Sequence, residues 1–279
     1  IDAVKEELGL DFECEMIDVR YDSRIRGEYA DEMHRLRGRR GLSKEDAIRQ
    51  LNSTTYFAPM MVRMGDADGY LGGVSHQYPD IVKPCLQVIG PKPESHRIVG
   101  MYMMTVNNRL MFIGDATINI YPDARTLAEI AIQTAKVARR FGVTPKVAML
   151  SFSNFGTSAE LRTDRIEEAI AIVNEIEPEL IIDGPMQADT ALIDEIQEDY
   201  PFMNFKGPAN VLICPNLASA NIAYKLLQRI AGAEMTGPIL EGLSKPAHVL
   251  QRRDSVREVV HMAAICAVDA QRHSKETLS

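Results

Sequence analysis

The sequence GPILEGLSKPAHVLQRRDSVREVVHMAAICAVDAQ, residues 237–271, contains the strand–loop–helix order on which the fold assignment depends. A segment rich in glycine and proline leads into a short apolar strand at 247–250. Three polar residues follow at 251–253, and a helix begins at Ser255. A loop above a helix N-terminus suits an anion, because unpaired backbone N–H groups and the helix dipole point toward it. An ordinary strand-to-helix turn is the alternative interpretation.

Strand-like and helical segments alternate along the rest of the chain. Ser43, Asp123 and Asn216 are predicted helix N-caps, and Ser255 with Glu258 forms a capping-box pattern. Strand-like runs occur at 12–19, 60–64, 98–106, 109–116, 146–152, 180–183, 209–215 and 247–250. This alternation predicts a mostly parallel sheet covered on both faces, with ligands at the carboxyl ends of its strands.

The helix that follows Asn216 has apolar residues at helical spacing. Ile222, Leu226, Leu227 and Ile230 recur on one side of it, and we expect them to be buried.

The composition is that of an ordinary globular protein. The 279 residues include 46% hydrophobic and 25% charged residues, and the formal net charge of −8 argues against a nucleic-acid surface. No apolar run approaches the roughly 18 to 20 residues that span a bilayer, so we expect a cytoplasmic protein without membrane contact. The histidines and cysteines lack metal-ligand spacing, so no metal site is expected.

Five separate blocks of sequence are followed by SVREVV at 255–260. Their shared order identifies a family more specifically than any single motif does. They are YFAPMMVRMGDADGYLGGVSH (56–76), VAMLSFSNFGTS (147–158), IIDGPMQADTAL (181–192), KGPANVLICPNL (206–217) and ANIAYKLLQRIAGAEMTGPILEGLSKPAHVL (220–250). Together they resemble the phosphate acetyltransferase family over nearly the whole chain.

Three segments are closer to a version of this domain that is fused to the C-terminus of large NADP-dependent malic enzymes. They are LSFSNFGTS, residues 206–210, and KPAHVL with its helix ending in VDAQ. This resemblance implies a regulatory domain that binds acetyl-CoA as an allosteric ligand and inhibits malic enzyme domains in the same polypeptide. NADP and a divalent metal would bind only to those domains, which convert malate to pyruvate. Family members pair, so a homo-oligomer formed through this domain is also expected.

The family fold implies two α/β lobes of three-layer α/β/α type, with mostly parallel sheets and an interlobe cleft like that of isocitrate dehydrogenases. Residues 1–96 and 239–279 are expected to form the first lobe, and residues 97–238 the second. Family members place a strand, a helix and another strand before this point. The N-terminal part of the first lobe is therefore expected to be missing from the chain.

The resemblance aligns the loop at 250–253 with an LSRG-type loop. In the family, its serine, a later cysteine and an aspartate in the next helix occupy the positions held here by Gln251, Asp254 and Glu258. Glutamine cannot act as a base, because its amide has no pKa near neutrality. Asp254 adds a negative charge where an anionic phosphate must bind. Glu258 also fits a purely structural capping role.

The expected function is therefore a catalytically inactive domain. An active phosphate acetyltransferase and an oligomerisation module are the two alternatives. The resemblance implies ligand-binding residues in several segments. They are Arg37 and Lys83 for phosphate, Ser151, Ser153, Asn154 and Thr157 in SFSNFGTS, Asn216 in CPNLASAN, and Arg252 in the final loop. Lys83 occupies a position where the family has arginine. The planar guanidinium group, which binds phosphate bidentately, is therefore absent here.

Overall fold

A computed structural model describes residues 2–93, 95–156 and 164–278, in which helices and strands alternate. The helices are α1 (Asp2–Glu7), α2 (Glu28–Arg37), α3 (Lys44–Leu51), α4 (Thr54–Met64), α5 (Tyr78–Val88), α6 (Ala124–Arg140), α7 (Asp164–Ile176), α8 (Ala188–Leu192), α9 (Asp194–Gln197), α10 (Leu217–Ile230) and α11 (Val256–Leu278). The strands are β1 (Tyr70–Gly72), β2 (Val99–Val106), β3 (Arg109–Gly114), β4 (Lys146–Leu150), β5 (Ile181–Met186), β6 (Val211–Ile213), β7 (Glu234–Glu241) and β8 (Ala247–Val249).

The larger sheet has six strands in the order β5-β4-β6-β3-β2-β7. Strands β5, β4, β6 and β3 pair in parallel, whereas β2 is antiparallel to both β3 and β7. One face packs against α6, α7 and Met262 of α11, and the other packs against α8 and α10. The predicted α/β class with a mostly parallel sheet is confirmed.

A second α/β unit is built on two strands that are far apart in sequence. β1 pairs in parallel with β8, with Tyr70 opposite Ala247. Side chains of α4 and α5, such as Val62 and Ile81, fill the core beside this pair. A further cluster joins α2, α3 and α4 around Tyr29.

Two chain segments connect the two sheets, one between α5 and β2 and the other between β7 and β8. Pro91 and Leu243 form an isolated antiparallel bridge where these segments run side by side. The domain boundaries proposed from the sequence, near residues 96 and 238, stay a prediction. None of the described helices is long and apolar enough to cross a membrane.

The predicted N-caps are confirmed by side-chain contacts. Asp123 accepts a hydrogen bond from the Thr126 N–H at 2.8 Å, and Asn216 accepts one from the Ser219 N–H at 2.9 Å. These side chains satisfy N–H groups that the first turn of a helix leaves unpaired.

Three predictions about secondary structure and burial are wrong. Residues 60–64 lie inside α4, which Ser53 caps and Gly65 ends with a φ of 91°. Residues 12–19 form no strand. Most of the apolar side of α10 is turned outward, because Ile222, Leu226 and Ile230 are 59%, 52% and 80% exposed, whereas Leu227 is partly buried against the sheet. The sheet instead buries Ala220 and Tyr224 of that helix.

Candidate functional site

The loop between β8 and α11 is held at its helix end by reciprocal hydrogen bonds. The Ser255 N–H donates to the Glu258 carboxylate at 2.6 Å, and the Glu258 N–H donates to the Ser255 hydroxyl at 3.2 Å. The predicted capping box is thus present. It gives Glu258 a structural role at the start of α11.

Gln251 is fixed in this loop by both its backbone and its side chain. Its backbone N–H donates to the Asp254 carboxylate at 2.7 Å, and its carbonyl accepts from the Asp254 N–H at 3.2 Å. Its side-chain amide donates to the hydroxyl of Tyr102 on β2. The loop is therefore tied directly to the six-stranded sheet.

Tyr102 is a buried member of an aromatic pair. Its ring stacks on that of Tyr224 from α10, with centroids 4.3 Å apart and planes inclined by 22°. Burial, followed by the neighbouring Tyr224, raises the pKa of Tyr102 well above its ordinary value. The phenol therefore stays protonated and offers an oxygen lone pair to Gln251.

Asp254 is partly buried beside Gln251. Burial raises the pKa of its carboxyl group above the ordinary value, the hydrogen bond from the Gln251 N–H opposes this rise, and the charge of Glu258 adds to it. A carboxylate held here disfavours a second anion nearby through like-charge repulsion.

The two arginines of the loop are exposed and take no part in this network among the described residues. Arg252 is exposed, and its side chain forms no hydrogen bond or ion pair with any residue that the structure describes. Arg253 has a φ of 78°, in the left-handed region that favours glycine. The LSRG pattern that this loop resembles has glycine at this position.

A second group of predicted residues lies where β4 and β6 end. These strands are parallel neighbours, so the loops that follow them meet at one edge of the sheet. Asn154 accepts from the Gln187 N–H at 2.7 Å and donates to the Tyr200 hydroxyl at 3.0 Å. Arg165 donates to the Pro215 carbonyl at 2.9 Å and so connects α7 to the loop containing Asn216.

The serines of the first of these loops differ in their surroundings. Ser151 continues the pairing with β5, because its N–H donates to the Met186 carbonyl at 2.8 Å. The Ser153 hydroxyl is buried without a hydrogen-bond partner among the described residues. Thr157, predicted from the same segment, lies outside the described residues.

Arg37 and Lys83 lie in the smaller α/β unit. Arg37 ends α2 and is close enough to Tyr56 of α4 to oppose the rise in the Tyr56 pKa that burial produces. The Tyr56 hydroxyl donates to Gln87 of α5 at 2.9 Å. Exposed Lys83 precedes Gln87 by about one turn of the helix and shares its face.

The structure thus brings the predicted residues together in three groups. Gln251, Asp254 and Glu258 form one, the loops after β4 and β6 form the second, and Arg37 with Lys83 form the third. Among the described residues, no hydrogen bond or ion pair connects Arg37 or Lys83 to either of the other two groups. The Arg252 side chain has no such contact with any described residue.

The sequence did not identify Tyr102, Gln187 or Arg165 as part of these sites. Tyr102 lies in a strongly apolar strand, where a tyrosine is usually a core residue with no distinguishing pattern. Gln187 could have been identified from its position in the sequence, because it follows β5 and therefore lies at the same sheet edge as Asn154.

Residues 1–267 match a protein family described as phosphate acetyl/butaryl transferase. A phosphate acetyltransferase from Nitratidesulfovibrio vulgaris is 38% identical over 245 residues, which cover 88% of this chain and 35% of that protein. An NADP-dependent malic enzyme from Escherichia coli is 39% identical over 267 residues, which cover 94% of this chain and 35% of that protein. The chain thus spans about a third of the length of these two relatives.

The fold matches that of a phosphotransacetylase from Streptococcus pyogenes. The TM-score is 0.90 and the sequence identity 34%, over 97% of this chain and 83% of the solved chain.

Proposed function

The chain belongs to the phosphate acetyl/butaryl transferase family, and from this we propose that it is an acetyl-CoA-binding domain that no longer catalyses acetyl transfer. The single observation that carries the proposal is the environment of Gln251. It occupies the position of the family serine, its amide cannot accept a proton from a thiol, and it is already hydrogen-bonded to Tyr102.

Two further features support a loss of the reaction with acetyl phosphate. Asp254 lies beside Gln251 and repels an incoming phosphate group. Lys83 replaces an arginine with a point charge, so bidentate binding of phosphate is not available there.

Elements suited to hold CoA remain. The hydroxyl of Ser153 and the loop containing Asn216 lie near the carboxyl edge of the parallel strands, where α/β proteins bind ligands. The free guanidinium of Arg252 supplies a cation for a phosphate group.

The proposed role of this binding is regulation. Malic enzyme domains in the same polypeptide would bind NADP and a divalent metal and decarboxylate malate, and acetyl-CoA bound here would inhibit them. Such inhibition requires acetyl-CoA to bind the inhibited state more tightly than the active one. Support comes from the similarity to an Escherichia coli malic enzyme of which this chain covers 35%.

An active phosphate acetyltransferase is the second candidate, favoured by the 0.90 TM-score to a phosphotransacetylase. The test is to incubate the chain with CoA and acetyl phosphate and to measure thioester absorbance. We expect negligible turnover in the natural sequence and a measurable gain in the triple variant Gln251→Ser, Arg253→Gly, Asp254→Cys. Turnover by the natural sequence at the rate of ordinary family members would refute the regulatory proposal.

Oligomerisation through this domain is a further part of the proposal. Val256, Val260 and Val268 are 82%, 58% and 52% exposed on α11, and an apolar stripe of this kind suits a second copy of the chain. If this domain served assembly alone, titration calorimetry with acetyl-CoA at millimolar concentration would give no heat. If it binds acetyl-CoA through Arg252, Arg252→Ala should weaken binding by roughly 1 to 3 kcal/mol.

A further inference from the structure

A strongly basic cavity lies between α6 and the second half of α11. Its volume is about 420 Å³. Six basic side chains line it: Lys92, Lys136, Arg139, Arg140, Lys245 and Arg272. Arg272 lies about 24 Å along α11 from Val256, at roughly 1.5 Å per residue, so this cavity is remote from the Gln251 loop.

The carboxylates near this cavity already form ion pairs with some of its basic side chains. Arg140 pairs with both Glu241 and Asp269, the latter at 2.9 Å. Lys136 and Arg139 share Glu177, at 3.5 and 2.9 Å. These ion pairs involve Lys136, Arg139 and Arg140, whereas Lys92, Lys245 and Arg272 form none with the described residues. The whole chain has a net charge of −8, so this concentration of positive charge runs against the overall composition.

Three of the cations are available to a ligand. Lys92 and Arg272 form no side-chain hydrogen bond or ion pair with the part of the chain that the structure describes. Lys245 donates to the Val62 carbonyl at 2.9 Å, a contact that leaves its charge uncompensated. Since a concave surface lined by one sign of charge concentrates its field, the cavity attracts anions.

His248 also borders the cavity but does not add to its charge. Its Nδ1 accepts a hydrogen bond from the Leu240 N–H at 3.2 Å, so the ring proton resides on Nε2. That nitrogen donates to Asp269 at 3.1 Å. The histidine is therefore neutral and helps to fix Asp269, which in turn fixes Arg140.

We propose that this cavity is a binding site for a small molecule that carries a diphosphate or triphosphate group. Phosphate oxygens match both available donor types, because guanidinium groups bind them bidentately and ammonium groups bind them as point charges. The three cations without an ion-pair partner among the described residues carry more charge than a single phosphate neutralises, whereas two or three linked phosphates can contact all of them. The cavity volume lies within the roughly 300 to 1,000 Å³ that is common for small-molecule sites.

The cavity has walls from both α/β units. Lys136 and Arg139 belong to α6, which covers the six-stranded sheet, whereas Lys92 and Lys245 lie on the two connecting segments. The cavity lies at the opposite end of α11 from the loop at which acetyl-CoA is proposed to bind, and the inference does not depend on that function.

The test is titration calorimetry with inorganic orthophosphate, pyrophosphate and tripolyphosphate at constant ionic strength. Affinity should increase in that order, and it should fall as salt is added. The double variant Lys92→Gln, Arg272→Gln should weaken tripolyphosphate binding by at least about tenfold, since each substitution removes a charged hydrogen bond.

Two matched variants control for the loss of charge alone. Arg109→Gln removes a cation from the exposed end of β3, and Arg229→Gln removes one from the exposed last turn of α10. Both should bind tripolyphosphate like the natural sequence. Circular dichroism of the double variant should show an unchanged fold. Absence of binding at about ten millimolar ligand, or equal weakening by Arg109→Gln, would overturn the proposal.

Discussion

The side-chain amide of Gln251 donates a hydrogen bond to the Tyr102 hydroxyl and so joins the loop before α11 to the second strand of the chain. The bond connects two segments separated by 149 positions. Because Tyr102 is buried and stacked on Tyr224, the acceptor is rigid, and Gln251 is oriented by it.

Removal of the Tyr102 hydroxyl should destabilise the fold, although the aromatic ring remains. Tyr102→Phe keeps the stacking contact but leaves the half-buried Gln251 amide without its partner, so we expect a loss of about 1 kcal/mol in the free energy of unfolding. Urea unfolding of Tyr102→Phe, Gln251→Ala and the double variant would measure the coupling between the two residues. Fully additive effects would show that the hydrogen bond contributes nothing to stability.

Arg253 holds a backbone conformation that glycine adopts more easily. Its φ of 78° costs a side-chain-bearing residue about 1 kcal/mol or more, whereas glycine also gains entropy in the unfolded chain. Arg253→Gly should therefore keep the stability of the natural sequence or raise it by up to about 1 kcal/mol. Arg252→Gly, at a position without positive φ, should be destabilising. Equal losses in both variants would contradict the strain argument.

Ser153 and Asn154 are neighbours with opposite expected roles. Asn154 makes three hydrogen bonds, so Asn154→Ala should destabilise the fold by about 2 kcal/mol. The Ser153 hydroxyl is buried without a partner among the described residues, so Ser153→Ala should keep or slightly raise the unfolding midpoint and weaken acetyl-CoA binding. Thermal unfolding and calorimetry on both variants separate the two effects. A destabilised Ser153→Ala with normal acetyl-CoA binding would rule out the ligand role.

Asp254 and Asp269 should respond to pH with opposite signs. The folded pKa of Asp254 is raised from its ordinary 3.8, mainly by burial, so the cost of its charged form begins as pH rises above 3.8 and is complete above the raised value. Asp254→Asn should be more stable than the natural sequence at pH 7, and this advantage should vanish near pH 3.8.

Asp269 provides the contrast. Burial alone would raise its pKa, but the hydrogen bond with His248 and the charge of Arg140 lower it below 3.8. Its stabilising effect is present above 3.8 and is lost as pH falls through the lower folded pKa, so Asp269→Asn should be less stable at pH 7. Urea unfolding of both variants between pH 4 and pH 7 checks the pair, and shifts of the same sign would contradict the assignment.

Local patterns in the sequence identified helix starts well, because a cap such as Asp123 or Asn216 acts within one turn. They also located most strands of the central sheet. They failed for α10, where apolar spacing gives an apolar side but does not say whether the sheet covers it. They also failed for residues 60–64, where helix and strand are equally consistent with a short apolar run.

The candidate site was predictable in its loops but not in its contacts. Gln251, Asp254 and Asn154 came from the sequence, whereas the partner that orients Gln251 comes from a strand far away in the chain. The spacing of residues within one segment does not predict a long-range contact of this kind. The free cations of the basic cavity are likewise scattered from Lys92 to Arg272, and only the fold gathers them.

The 23 residues of α11 form one continuous helix about 34 Å long, and it acts as a rigid rod whose length does not change. One end is anchored to the Gln251 loop through Ser255 and Glu258, and the other reaches Asp269 and Arg272. A single continuous helix therefore sets the separation between the Gln251 loop and the basic cavity.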